Sequence, residues 1–198
     1  MTGSILKLAT SRKTARKFSS APVPMEAVIG ALEAARQAPS GANRQPWRFI
    51  LVDDPELKGR IRRASERGER EMYEKVTGEF REWLLGHGLS QRKPFLEEAP
   101  LLVVVLMDRS APYAKESVWV AIGFILLALE ESGLSTLPYT PSNTRYPLDE
   151  LDAPPEYALE AILPIGYSED KKQKETKLSL DEIVRRNKWG DRRVYPHP

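Results

Sequence analysis

Apolar positions along the chain fall into two periods. Met25, Val28, Ile29, Leu32 and Ala35 recur at helical spacing and predict an amphipathic helix that stops before Pro39. The run from Trp47 to Val52, "WRFILV", predicts a strand. "DDPELKGRIRRA" then reads as a turn and a helix with Pro55 in its opening turn. "PLLVVVLMD" is apolar almost throughout, the pattern of a strand buried on both faces. A buried helix is expected from about Ser117 to Glu131, ending at Gly133, and "ALEAILPIGY" predicts another buried strand. "SILKL" predicts a short helix opening at Ser4, whereas "LSTLPYTPSNTRYPLDELDAPPEY" is irregular and proline-rich. Strands interleaved with helices point to an α/β or α+β domain whose sheet is covered by helices.

One stretch breaks the pattern. Residues 65–98 are dense in charge and punctuated by Gly78, Gly86 and Gly88, and their apolar residues (Met72, Tyr73, Phe80, Trp83, Leu84) are too sparse for a central core element. A helical lid inserted within a single domain, residues 1–198, accounts for this. The length suits one domain with a sizeable core.

Charge and composition narrow the chemistry. Thirty basic and 28 acidic residues leave a net charge of +2, which argues against a nucleic-acid partner, since that calls for a concentrated basic face. There is no cysteine, so disulfides, thiolate catalysis and cysteine-ligated metals are excluded. The only histidines are His87 and His197, and no metal-ligand spacing occurs. No run approaches the ~18 apolar residues of a membrane span. The basic start carries residues of a transit peptide but lacks the apolar core of a secretory signal, and the expected setting is the cytoplasm. Heavy charge with few amides suggests a thermophilic source.

Four segments carry candidate chemistry. In "SRKTARKF", Arg12, Lys13 and Arg16 with the Thr14 hydroxyl suit a phosphate, although a solvated basic face gives the same pattern. In "APSGANRQPW", Gly41 allows unusual backbone angles and close approach to a flat ligand, with Ser40 and Asn43 as polar contacts. The same residues serve an ordinary helix-to-strand turn. "YTPSN" offers the Thr140 hydroxyl in what is otherwise a proline turn. Glu69 and Tyr73, four apart, share a helix face and with Lys93 could grip a zwitterion, but charged helices often contain such trios. No phosphate-binding P-loop or dinucleotide fingerprint is present, and a serine triad would have to use His87.

In order, "SRKTARKFSSAPVP", "ALEAARQAPSGANRQPWRFILV", "APLLVVVLMD", "ESGLSTLPYTP", "AILPIGY" and "LDEIVRRNKWG" resemble the nitroreductase family of flavin mononucleotide (FMN) enzymes over almost the whole chain. The resemblance implies an α+β nitroreductase-like fold, with a central mixed sheet flanked by helices, and a homodimer with FMN at its interface. It implies phosphate contacts from Arg12, Lys13, Thr14, Arg16 and Lys177, and ring contacts from Pro39, Ser40, Gly41 and Asn43.

The lid further resembles the iodotyrosine deiodinase-like subgroup, which reductively removes halogen from halotyrosines. There a Glu, a Tyr four residues on and a Lys seven residues before the Pro of the next strand hold the substrate zwitterion; Glu69, Tyr73, Lys93 and Pro100 keep both spacings. "TPSN" is similar to that subgroup's "TPLN", which implies a Thr140 hydroxyl at flavin N5 and an Ala42 N–H at the substrate phenolate. Asn43 stands where animal deiodinases have histidine, and Lys13 and Thr14 where arginine and serine are commoner. The expected activity is an FMN-dependent oxidoreductase, in its sharpest form a halotyrosine dehalogenase, with NAD(P)H as electron donor. The alternatives are a general NAD(P)H-dependent nitroaromatic or quinone reductase and, from another class, a flavin-binding sensor without turnover.

Overall fold

The computed structural model describes residues 4–190; His197 lies outside them. Four strands form one sheet: β1 (Trp47–Val52), β2 (Leu101–Asp108), β3 (Ser135–Thr136) and β4 (Tyr157–Gly166), in the order β1-β2-β4-β3. All three pairings are antiparallel. The parallel component of the expected mixed sheet is a bridge between Thr14 and Thr136. The apolar runs became strands because the sheet is buried on both faces, which makes alternation unnecessary; Leu101 to Leu106 are all buried.

On one face lie α2 (Met25–Arg36) and α6 (Ala114–Glu131), whose Val28, Ala31, Ala35, Val118, Ile122 and Ile125 pack on Val103, Val105, Ala161 and Leu163. The small alanines of α2 let the two helices sit close over the strands. Against the other face pack Ile61, Phe95, Leu96, Ala15 and Phe18, around Leu102, Val104, Leu106 and Ile162. These come from α3 (Pro55–Lys75), α5 (Phe95–Glu98) and the segment that follows α1 (Ser4–Ser11).

The helix after Pro55 runs further than its sequence suggests. Asp54 caps it by accepting the Glu56 N–H at 3.0 Å, and α3 continues unbroken across residue 65 to Lys75. The charged stretch is thus the outer half of α3, then α4 (Gly78–Gly86) and a return segment to α5. That return is tied to α3. Lys58 Nζ donates to the Ala99 carbonyl at 2.7 Å, Arg62 bridges Glu66 and Glu97, and Glu66 accepts the Lys93 N–H at 2.7 Å. The remaining helices are α7 (Arg145–Asp149) and α8 (Leu180–Ile183). Among the described residues no helix is long and apolar enough to cross a membrane, and no metal-ligand cluster occurs.

Candidate active site

The basic segment after α1 lies along the sheet edge. Ala15 donates to the Thr136 carbonyl, and Ser19 to that of Tyr167. This brings Arg12, Lys13, Thr14 and Arg16 against residues 172–177, and together they line a cleft of about 110 Å³ that also includes Lys172, Lys174 and Lys177. The cleft is held open by hydrogen bonds between its walls. Lys13 Nζ donates to the carbonyls of Asp170 and Lys172 at 2.6 and 2.9 Å, and the Arg16 N–H donates to Asp170 Oδ2 at 3.0 Å. The Lys172 N–H, with the Arg16 N–H and nearby cations, holds the Asp170 carboxyl below its usual range. Arg12 Nη1 is buried with no hydrogen-bond partner among the described residues. A buried guanidinium N–H without an acceptor is costly. The donor set therefore fits a multivalent anion such as the FMN phosphate.

The loop between α2 and β1 is strained. Ala42 has φ 47° and ψ 29°, and Asn43 and Gln45 also have positive φ, 53° and 48°. Such angles disfavour side chains with a Cβ by roughly 1–2 kcal/mol each. Gly41 is not at positive φ, so the unusual angles fall on its neighbours. What Gly41 supplies is room: a Cβ there would lie 2.7 Å from the Pro112 carbonyl and 3.0 Å from the Tyr113 ring. The Gly41 N–H donates to Ser117 Oγ at 3.1 Å, and Ser40 Oγ accepts the Gln45 N–H at 3.0 Å. Polar side chains thus hold the turn, while Pro39, Ala42 and Asn43 stay exposed. Among the described residues the Ala42 N–H has no acceptor. Trp47 is buried in the core.

In the lid, Glu69 and Lys93 are 3% and 9% exposed, with Lys93 Nζ 3.3 Å from Glu69 Oε2. Burial lowers the Lys93 pKa, and the Glu69 charge opposes that shift. Tyr73 is half-buried beside them; burial, then the Glu69 charge, pushes its phenol up, so it remains a donor. Glu69 also meets the loop of Thr140, through Tyr139 and Ser142. Thr140 itself is exposed, directly after Tyr139, which is bonded on both sides to Ile162 of β4.

Residues 9–167 match the model of the nitroreductase family. The chain belongs to the nitroreductase family. Within it, an iodotyrosine deiodinase of Thermotoga neapolitana is 51% identical over 167 residues, 84% of this chain and 90% of that protein. Human iodotyrosine deiodinase 1 is 33% identical over 81% of this chain, and the match spans 60% of that longer protein. A crystal structure of oxidized iodotyrosine deiodinase bound to FMN and 3-iodo-L-tyrosine superposes with a TM-score of 0.89 at 48% identity, covering 93% of this chain and all of that one.

Several residues of the candidate site carry no local signal in the sequence. Lys172 and Lys174 sit in a tail whose charge pattern is that of any solvated segment. Tyr139 and Ser142 reach Glu69 across 70 and 73 residues of chain, which no local spacing encodes. Ser117 was legible only as a polar residue at the start of an apolar helix.

Proposed function

We propose that the chain is an FMN-dependent reductive dehalogenase of halotyrosines. The buried Glu69–Lys93 pair carries this reading. Burying two charges is expensive, and an apolar pair would fill the space at lower cost. A carboxylate and an ammonium retained there match the ammonium and carboxylate of an amino acid, with Tyr73 as a further donor. The iodotyrosine deiodinases among its relatives support the choice of substrate.

Arg12, Lys13, Thr14, Arg16 and Lys177 would hold the FMN phosphate, with Lys172 and Lys174 adding charge. Pro39, Ser40, Gly41 and Asn43 would hold the ring, with the Thr140 hydroxyl as donor at N5. Bound FMN, once reduced, would supply the two electrons that with one proton convert a carbon–halogen bond to carbon–hydrogen and release halide, with NADH or NADPH as the proposed electron source. The Ala42 N–H, without an acceptor among the described residues and fixed by a strained backbone, is a prealigned donor for phenolate charge. Closure of the lid over the substrate excludes water and strengthens both contacts.

The working form is proposed to be a homodimer with FMN at its interface. Ile5 and Leu6 of α1, Ile29 of α2 and Val120 and Phe124 of α6 are exposed apolar side chains on a well-packed domain, which supports a partner copy. The test is anaerobic single turnover: protein reduced with dithionite and mixed with 3-iodo-L-tyrosine should release one iodide and one tyrosine per flavin. Reduction of nitroaromatics with no iodide release would replace this reading with that of a general reductase.

A further inference from the structure

Glu69 joins the lid to the loop that presents Thr140. Its Oε1 accepts the Tyr139 O–H at 2.7 Å and the Ser142 N–H at 3.2 Å, while Oε2 faces Lys93 Nζ. Tyr139 is itself rigidly placed. Its N–H donates to the Ile162 carbonyl at 3.0 Å, its carbonyl accepts the Ile162 N–H at 2.8 Å, and its ring meets Phe95 edge-on. Burial, reinforced by the Glu69 charge, pushes the Tyr139 phenol far above its ordinary range, so it can only donate to the carboxylate. α3 sits tightly on the same loop: a Cβ on Gly68 would lie 2.7 Å from Asn143 Cβ.

We propose that Tyr139 is a positioning residue that locks Glu69, and with it the lid helix, to the Thr140 segment, leaving only Oε2 to receive a substrate ammonium. This rests on the halotyrosine reading for the identity of the ammonium. With Oε1 saturated by two donors, the carboxylate cannot turn both oxygens toward Lys93, whose charge also rests on the Ser90 carbonyl at 2.7 Å. An ammonium arriving at Oε2 shares it with Lys93. Without the Tyr139 hydroxyl, Glu69 swings toward Lys93 and the ammonium site closes.

The FMN-loaded protein and its Tyr139→Phe variant, which keeps the packed ring, are titrated by flavin fluorescence with 3-iodo-L-tyrosine and with 2-iodophenol, which has no amino-acid group. The variant should bind iodotyrosine about tenfold more weakly, the effect of losing one hydrogen bond to a charged group, and should bind iodophenol as the parent does. In a Glu69→Gln background the same substitution should cost at most about twofold, because the two residues act as a unit. Equal losses in both backgrounds, or unchanged iodotyrosine affinity beside an intact parent response, would overturn the proposal. A second readout needs no substrate. Amide exchange should quicken in residues 66–75 and 139–144 together in Tyr139→Phe; unchanged exchange in both segments would refute the lock. If the parent itself binds no iodotyrosine, the halotyrosine reading fails and the exchange data alone decide the lock.

Discussion

Arg12→Met separates a phosphate-binding arginine from a structural one by the sign of two effects. Arg12 Nη1 is buried and has no hydrogen-bond partner among the described residues. An unsatisfied buried donor costs about 1–3 kcal/mol, and a charge-assisted hydrogen bond contributes about 1.5–3 kcal/mol. Methionine keeps the length of the stem and removes the orphaned N–H. The FMN-free variant should therefore melt no lower than the parent, and each kcal/mol relieved raises Tm by about 2–4 °C in a chain of this size. FMN affinity should move the other way, weakening about 10- to 150-fold by the same hydrogen-bond energies. Differential scanning fluorimetry of the FMN-free proteins and equilibrium dialysis with FMN measure the two quantities. A variant that binds FMN as tightly as the parent would refute the phosphate assignment. One that loses stability and affinity together would show Arg12 to be structural.

Three further outcomes follow from the geometry. Gly41→Ala places a methyl against the Pro112 carbonyl, and overpacking of this kind costs about 1–3 kcal/mol; the loop should shift off Ser117, with lower Tm and weaker FMN binding, whereas an unchanged Tm would contradict the packing. Lys93 binds a carboxylate only as the ammonium, and burial lowers its pKa; the Lys93 contribution to iodotyrosine affinity should therefore be lost as pH rises through that lowered value, and Lys93→Arg should move the alkaline limb of the fluorescence titration upward, to the loss of the substrate's own ammonium proton. Phe124→Glu puts a charge on the exposed face of α6; if the proposed homodimer uses that face, size-exclusion elution should shift from dimer to monomer, with FMN binding weakened in step.

The elements that the sequence predicted well are those whose pattern has one physical cause. β2 and β4 are legible because a sheet covered on both faces needs unbroken apolar runs, and α6 because its long run ends at Gly133, which has positive φ. The extent of α3 was not legible. Its outer half is held by charged pairs and by a close approach of Gly68 to Asn143, so apolar periodicity fades although the helix continues. The candidate loop was half legible: Gly41 marked the place and Asn43 is a residue that tolerates positive φ, but Ala42 and Gln45 adopt it too, which local preference does not single out. Arg12 was legible only as one of a basic cluster, and tertiary structure shows that its Nη1 is buried without an acceptor among the described residues. Glu69 was found by spacing; its partners Tyr139 and Ser142 depend on where the sheet carries a distant loop.

The most direct test of the central claim is a titration of the oxidised, FMN-loaded protein with 3-iodo-L-tyrosine, followed by flavin fluorescence. Saturable quenching is expected, because the lid carboxylate and ammonium would seat the amino acid over the flavin. Flavin that stays bound and fully fluorescent at high micromolar iodotyrosine would contradict it.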